Sequence, residues 1–194
     1  MVDVDGVIVV HPDGGGWSAN LERDLGIPAA TLQAAFFASH WNDISHGRAS
    51  LRERLGPVLR EIAPDVSCER LIRYWFSNDA HLDRTLLAEL ASIRAGGTEV
   101  HLATVQEHER AQYLWDELDL RSQFDGLHYA AELGCAKPAS GFYEAIERRT
   151  GYAARELFLV DDSVANVEAA RTRGWAAAVW TGEMSLRSLI ADQG

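Results

Sequence analysis

The chain opens MVDVDGVIVV (residues 1–10), which sets two carboxylates, Asp3 and Asp5, one residue apart among apolar neighbours, with Gly6 directly after them. In a strand, residues two apart point to the same side, so Asp3 and Asp5 would repel each other unless something positive lay between them. A glycine at position 6 lets the chain turn tightly just beyond the pair. The plain alternative is a solvated terminus, and the rest of the chain decides between the two.

Length and composition narrow the field first. A chain of 194 residues with 47% hydrophobic content fits one domain, or one domain carrying a large insertion. The net charge of −11 leaves no excess of Lys and Arg to displace counterions from a nucleic-acid backbone, so no nucleic-acid partner is expected. An anionic substrate would need locally placed cations or a metal. No apolar run approaches the roughly 18 residues needed to span a bilayer, and the start lacks a basic segment followed by an apolar one, so no membrane association is expected and the cytoplasm is the default location. Cys68 and Cys135 lie far apart without metal-ligand spacing and read as free thiols.

The two halves have different textures. From Ser18 to about Ala80 the pattern is helical: Leu21 and Leu25 end at Gly26, and Ser50 with Glu53 forms a capping box ahead of Leu51, Leu55, Val58, Leu59 and Ile62. Gly56 and Pro57 interrupt that last stretch, which reads as two short helices or one kinked one. From Asp83 onward, helices alternate with strands: a helix to Gly96, the strand TEVHLAT (98–104), a helix, a short strand near GLHYA, a helix over 140–151, the strand LFLV, a helix over 163–174 and the strand AAAVW. Such alternation implies a parallel sheet with helices on both faces and a site beyond the carboxyl ends of the strands. The polar residues at those ends are few: Asp3, Asp5, Thr104, Lys137, Asp161 and Asp162. One hard cation between the two aspartate pairs would relieve both repulsions, and Mg²⁺ suits carboxylate oxygens.

Four motifs stand in order: DVDGV, the Thr of LAT, the Lys of AKP, and VDDSVANVEAA. This ordered set resembles the haloacid dehalogenase superfamily, in its helical-cap, phosphatase-like subgroup. The resemblance implies an α/β fold, a Rossmann-like three-layer core with a parallel sheet over residues 1–13 and 82–194, and an inserted all-helical cap over 14–81. It casts Asp3 as the nucleophile and Asp5 as the acid and base that handles the proton. It implies Mg²⁺ held by the Asp3 carboxylate, the backbone carbonyl of Asp5 and Asp162, with Asp161 acting directly or through water. Thr104, Val105 and Lys137 occupy the phosphate-binding positions. Val105 departs from the pattern, since similar relatives often carry Asn there.

The function implied is a Mg²⁺-dependent phosphatase of small phosphorylated metabolites of the sugar-phosphate type. A phosphomutase and a non-catalytic binding or phosphoacceptor module are the alternatives, and a 2-haloacid dehalogenase is disfavoured because that branch lacks the second aspartate. In the family it resembles, the first motif ends a full central strand, yet only Met1 and Val2 precede Asp3; either the recorded chain begins late, which is the preferred expectation, or the central strand is unusually short. Among the remaining candidates, His11 is expected at the surface and His101 packed or partly exposed. Trp17, Phe36, Phe37, Trp41, Trp75 and Phe76 are expected to form a bundle core. Arg48, Arg52 and Arg110 are expected in structural roles, the first two on a solvated helix face.

Overall fold

The computed structural model describes residues 1–11 and 14–191. Helices α1 (Leu21–Leu25), α2 (Ala29–Leu32), α3 (Ala38–Ser45), α4 (Leu51–Ile62) and α5 (Cys68–Asn78) come first, with a π-helical turn over Gln33–Phe37 joining α2 to α3. There follow α6 (Arg84–Ala95), β1 (His101–Thr104), α7 (His108–Gln112), β2 (Gly126–Tyr129), α8 (Ala130–Leu133), α9 (Ser140–Thr150), β3 (Phe158–Asp161), α10 (Val164–Arg173), β4 (Ala176–Val179) and α11 (Leu186–Ala191).

The opening segment is the centre of the sheet. Val2 donates to the His101 carbonyl and accepts from the Ala103 N–H, both at 2.9 Å, while Asp3 N–H donates to the Val160 carbonyl at 2.9 Å on the other side. With β1 paired to β2 and β3 to β4, all parallel, the order is β2–β1–opening segment–β3–β4. In chain order this is 3-2-1-4-5, the doubly wound arrangement, and its direction reverses at the opening segment. Side-chain alternation builds three layers: Leu102 and Val160 pack into a cluster with Leu86, Leu87, Leu90 and Leu186, whereas Ala103 and Leu159 face a second cluster with Phe142, Ile146, Val167 and Ala170. β1 is shorter than the expected Thr98–Thr104 because the Val100 N–H is taken by the Asp125 carboxylate at 2.8 Å instead of by a neighbouring strand.

The helical stretch has a core of its own. Leu21, Leu32, Phe36, Leu51, Leu55, Leu71, Ile72 and Trp75 belong to one cluster whose buried members all fall between residues 21 and 76. α4 is one continuous helix with Pro57 inside it, while the Ser50 and Ser67 side chains cap α4 and α5 by accepting from Glu53 and Arg70 N–H. The chain leaves and re-enters the sheet through adjacent segments: Val9 pairs antiparallel with Leu82, and Val10 N–H donates to the His81 carbonyl at 2.9 Å. The boundary expected between residues 13 and 14 falls at Pro12 and Asp13, outside the described residues. Among the described residues no helix is long and apolar enough to cross a membrane.

One buried polar pair sits within the sheet layer away from its carboxyl ends. His101 and His128 stack with ring centroids 5.3 Å apart, their Nδ1 and Nε2 atoms 3.2 Å apart, and His101 Nε2 meets Glu99 at 3.0 Å. His128 Nδ1 has no partner among the described residues. Burial, reinforced by His101, lowers the His128 value from 6.5 to about 4. The unfolded chain therefore binds the extra proton first, and stability falls as pH drops from about 6.5 toward 4. Between pH 7 and pH 5 this group is expected to cost roughly 2 kcal/mol. Urea unfolding at the two pH values should show that loss, and His128→Asn should remove that part of it.

Candidate active site

Two strand ends deliver the carboxylates. The sheet's central hydrogen bonds place Asp3 at the reversal point, β3 ends at Asp161, and Asp162 follows it. Carboxylate oxygens of Asp3, Asp161 and Asp162 lie within 4.8 Å of one another. The buried Lys137 bridges two of them, 2.9 Å from Asp3 Oδ1 and 2.5 Å from Asp161 Oδ2. Asp161 is fully buried, and its other oxygen accepts from Ser163 N–H and Asn166 Nδ2, each at 2.9 Å, so it fixes both the lysine and the start of α10. Asp162 is exposed and lies over Gly6, where φ is +76° and a Cβ would overlap the Asp162 carboxylate. Only glycine fits that turn.

Burial pushes Asp3 up to about 7, against the pull of Lys137 and with the help of Asp161. Asp162, though exposed, is raised too, by the partial loss of water around its carboxyl and then by Asp161. One ammonium does not neutralise three crowded carboxylates, and the site is short of positive charge. Thr104 is buried at the end of β1 and accepts from Gln106 Nε2 at 3.5 Å. Val105 packs its side chain against the cluster around Phe142, so only its backbone is available to a ligand.

Asp5 stands apart from that group. Its Oδ2 accepts from Gln106 Nε2 at 2.6 Å. Asp5 is exposed at the crevice, yet the protein around its carboxyl strips away part of its water and raises it, as does Asp79, while Arg110 and Gln106 oppose the rise. Arg110 is 1% exposed, with its guanidinium 3.2 Å from Asp79 Oδ2, donating to the carbonyls of Phe76 and Asp79, and lying over the Phe76 and Tyr113 rings. His11, expected at the surface, is partly exposed and meets Asp79 Oδ1 at 2.9 Å.

Other expectations resolve simply. Arg48 pairs with Asp43 at 2.9 Å, and Arg52 pairs with Glu69 at 3.1 Å and Glu109 at 2.8 Å. Phe36, Trp75 and Phe76 are bundle core, with Trp17, Phe37 and Trp41 packed against it as half-buried neighbours. Cys68 and Cys135 are free. An apolar cavity of about 290 Å³ opens beside Val100, Phe158 and Leu186 at the amino ends of the strands, away from the carboxylates. Gln106, Asp79 and Asn166 are the site residues that sequence reasoning missed.

The family model for haloacid dehalogenase-like hydrolases matches residues 1–174. The chain belongs to that family. A protein from Porphyromonas gingivalis described as a predicted HAD-like family hydrolase superposes with a TM-score of 0.79 at 17% identity, over 98% of this chain and 94% of its own. A HAD family enzyme from Bacteroides thetaiotaomicron, solved with magnesium and inorganic phosphate, gives 0.76 at 16% identity over 97% and 96%. A dehalogenase solved as an intermediate complex gives 0.64 at 15% identity over 95% and 84%. No curated protein matches the sequence. Membership in the hydrolase family accounts for the carboxylates at the strand ends, and the choice between phosphate and halide chemistry falls to the individual residues.

Proposed function

We propose that the chain is a Mg²⁺-dependent phosphatase of small phosphorylated metabolites, of the sugar-phosphate type, working through a phosphoaspartate on Asp3. The observation that carries this reading is Asp5: a second carboxyl beside the nucleophile, excluded from the Asp3–Asp161–Asp162 group and held by a neutral amide. Carbon–halogen cleavage has no use for a proton donor at that position. Phosphate ester cleavage does, because the alcohol leaves as a strong base.

The donor set fits the metal. Three carboxylates with only hard oxygen donors suit Mg²⁺, with Asp3 and Asp162 as ligands, the backbone carbonyl of Asp5 completing the protein's share, and Asp161 acting chiefly by holding Lys137. When bound, the ion supplies charge neutralisation at the phosphoryl oxygens and at the Asp3 carboxylate. The Asp3 carboxylate attacks phosphorus as the bond to the alcohol oxygen breaks, and Asp5 gives that oxygen its proton. Water then attacks the phosphoaspartate, loses a proton to Asp5, and frees inorganic phosphate and the Asp3 carboxylate. Thr104, Lys137 and the Val105 backbone orient the phosphoryl oxygens, so catalysis is positioning plus electrostatics. Residues 14–81 act as a cap over the crevice, with residues 1–13 and 82–194 as the core; the separate hydrophobic cluster of the helices and the paired crossing segments at Val9 and Leu82 support that division. The chain's place of work is taken to be the cytoplasm.

Phosphate release from sugar phosphates, nucleotides and p-nitrophenyl phosphate, with Mg²⁺ and with a chelator, tests the reading. Release is expected with at least one of them, and chelation is expected to cut it by ~10²-fold or more. Metal-independent halide release from a 2-haloacid, without phosphate release, would overturn the proposal.

A further inference from the structure

Asp5 has one oxygen engaged and one open. Gln106 Nε2 donates to Oδ2 at 2.6 Å, and Oδ1 has no protein partner among the described residues. Gln106 is itself fixed: it is 3% exposed, its amide also reaches Thr104 Oγ1 at 3.5 Å, and its backbone carbonyl accepts from the Ala131 N–H at 3.1 Å, on α8. Reaching 101 positions back in the sequence to Asp5, it thus ties that carboxyl to Thr104, the residue read as holding the phosphoryl group. Arg110 and Asp79, paired at 3.2 Å, are near enough to act on the Asp5 carboxyl, and Asp79 on the returning crossing segment meets His11 on the outgoing one at 2.9 Å.

We propose that Gln106 is the positioning residue for Asp5: it clamps Oδ2 so that Oδ1 faces the leaving oxygen of the substrate. The inference rests on the reading of Asp5 as proton donor to the leaving alcohol. A neutral amide suits the task because it fixes direction without adding charge beside a carboxyl that already feels Asp79 and Arg110. A carboxyl free to rotate would present either oxygen, and misplacement of a reacting group by about 1 Å can cost on the order of 10²-fold in rate.

A merely structural glutamine and a positioning one predict different dependence on the leaving group. p-Nitrophenyl phosphate and p-tolyl phosphate have nearly the same shape, but p-cresol, the phenol of a Tyr side chain, has a pKa of about 10, and p-nitrophenol is a much stronger acid. Only the tolyl ester needs the proton. The quantity to measure is kcat/KM, which reads the steps up to loss of the phenol and so leaves out hydrolysis of the phosphoaspartate. In Gln106→Met, which keeps volume and loses the donor, kcat/KM is expected to fall at least tenfold further on the tolyl ester than on the nitrophenyl ester. Gln106→Asn, whose shorter amide withdraws from Asp5, should show the same selectivity and serves if the Met variant does not fold. Asp5→Asn is the reference and should show it most strongly. Equal losses on both esters for Gln106→Met or Gln106→Asn, beside selective loss for Asp5→Asn, would overturn the role of Gln106 alone. Equal losses for Asp5→Asn itself would overturn the reading of Asp5 and the inference with it.

Discussion

Asp3→Asn is expected to abolish Mg²⁺-dependent phosphate release, by roughly 10³-fold or more, because an amide oxygen is too weak a nucleophile to form the phosphoaspartate. The same variant is expected to be more thermostable than the wild type in chelator at pH 8. Asp3 is buried, shares Lys137 with Asp161 and is pushed up to about 7 from 3.8. Its ionised form is disfavoured in the fold, so the destabilisation it causes is absent below about pH 4 and grows as pH rises to about 7. Asn removes the charge at every pH. The gain in melting temperature over the wild type should therefore shrink as pH falls to 5, where Asp3 is neutral in the fold. Mg²⁺ should stabilise the wild type more than the variant, since a ligand that binds only the folded state adds RT ln(1 + [L]/Kd). Thermal melts with Mg²⁺ and with chelator at the two pH values check all of this. A variant no more stable than the wild type at pH 8 would show that Lys137 already balances the carboxylates.

The parts of the site visible in the sequence are those whose chemistry is costly away from a site. Asp3, Asp161 and Asp162 stand at strand ends beside apolar runs, where a carboxylate has no structural reason to be. Alternation of strand and helix then sufficed to bring them together, since a doubly wound sheet gathers its carboxyl ends at one crevice. Gln106 was not legible, because a glutamine two residues beyond a strand looks like any loop residue until the partner 101 positions away is known. Arg110 did leave a signal. It lies four residues before Leu114, on the face that α7 and the following turn bury, and an arginine on a buried face needs a buried partner. The opening segment, with only two residues before Asp3, was legible as a puzzle: hydrogen bonds between Val2 and β1 on one side, and between Met1 and Asp3 and β3 on the other, make it the sheet's middle.

Lys137→Met carries the second large expectation, and it separates stability from catalysis. The ammonium is fully buried between Asp3 and Asp161, and Asp161 cannot turn away because Ser163 and Asn166 hold its other oxygen. Removing one partner of a buried ionic group leaves uncompensated charge and costs about 3–5 kcal/mol, whereas the methionine fills much of the same volume. In chelator at pH 8 the variant is expected to lose stability by that order, read as a shift in the urea midpoint. Mg²⁺ should restore part of it, because the ion replaces the missing positive charge beside Asp3. Activity should not return with stability. Like charges about 4 Å apart repel by roughly 4 kcal/mol at an effective dielectric near 20, and a carboxylate approaching a phosphate meets that repulsion directly. With the ion alone opposing it and one donor to the phosphoryl group gone, kcat is expected to stay about 10²–10³-fold below wild type even at saturating Mg²⁺. A variant whose activity recovered in step with its fold would make Lys137 a structural counter-ion, and the phosphoryl group would then depend on Thr104 and the backbone of the loop after it.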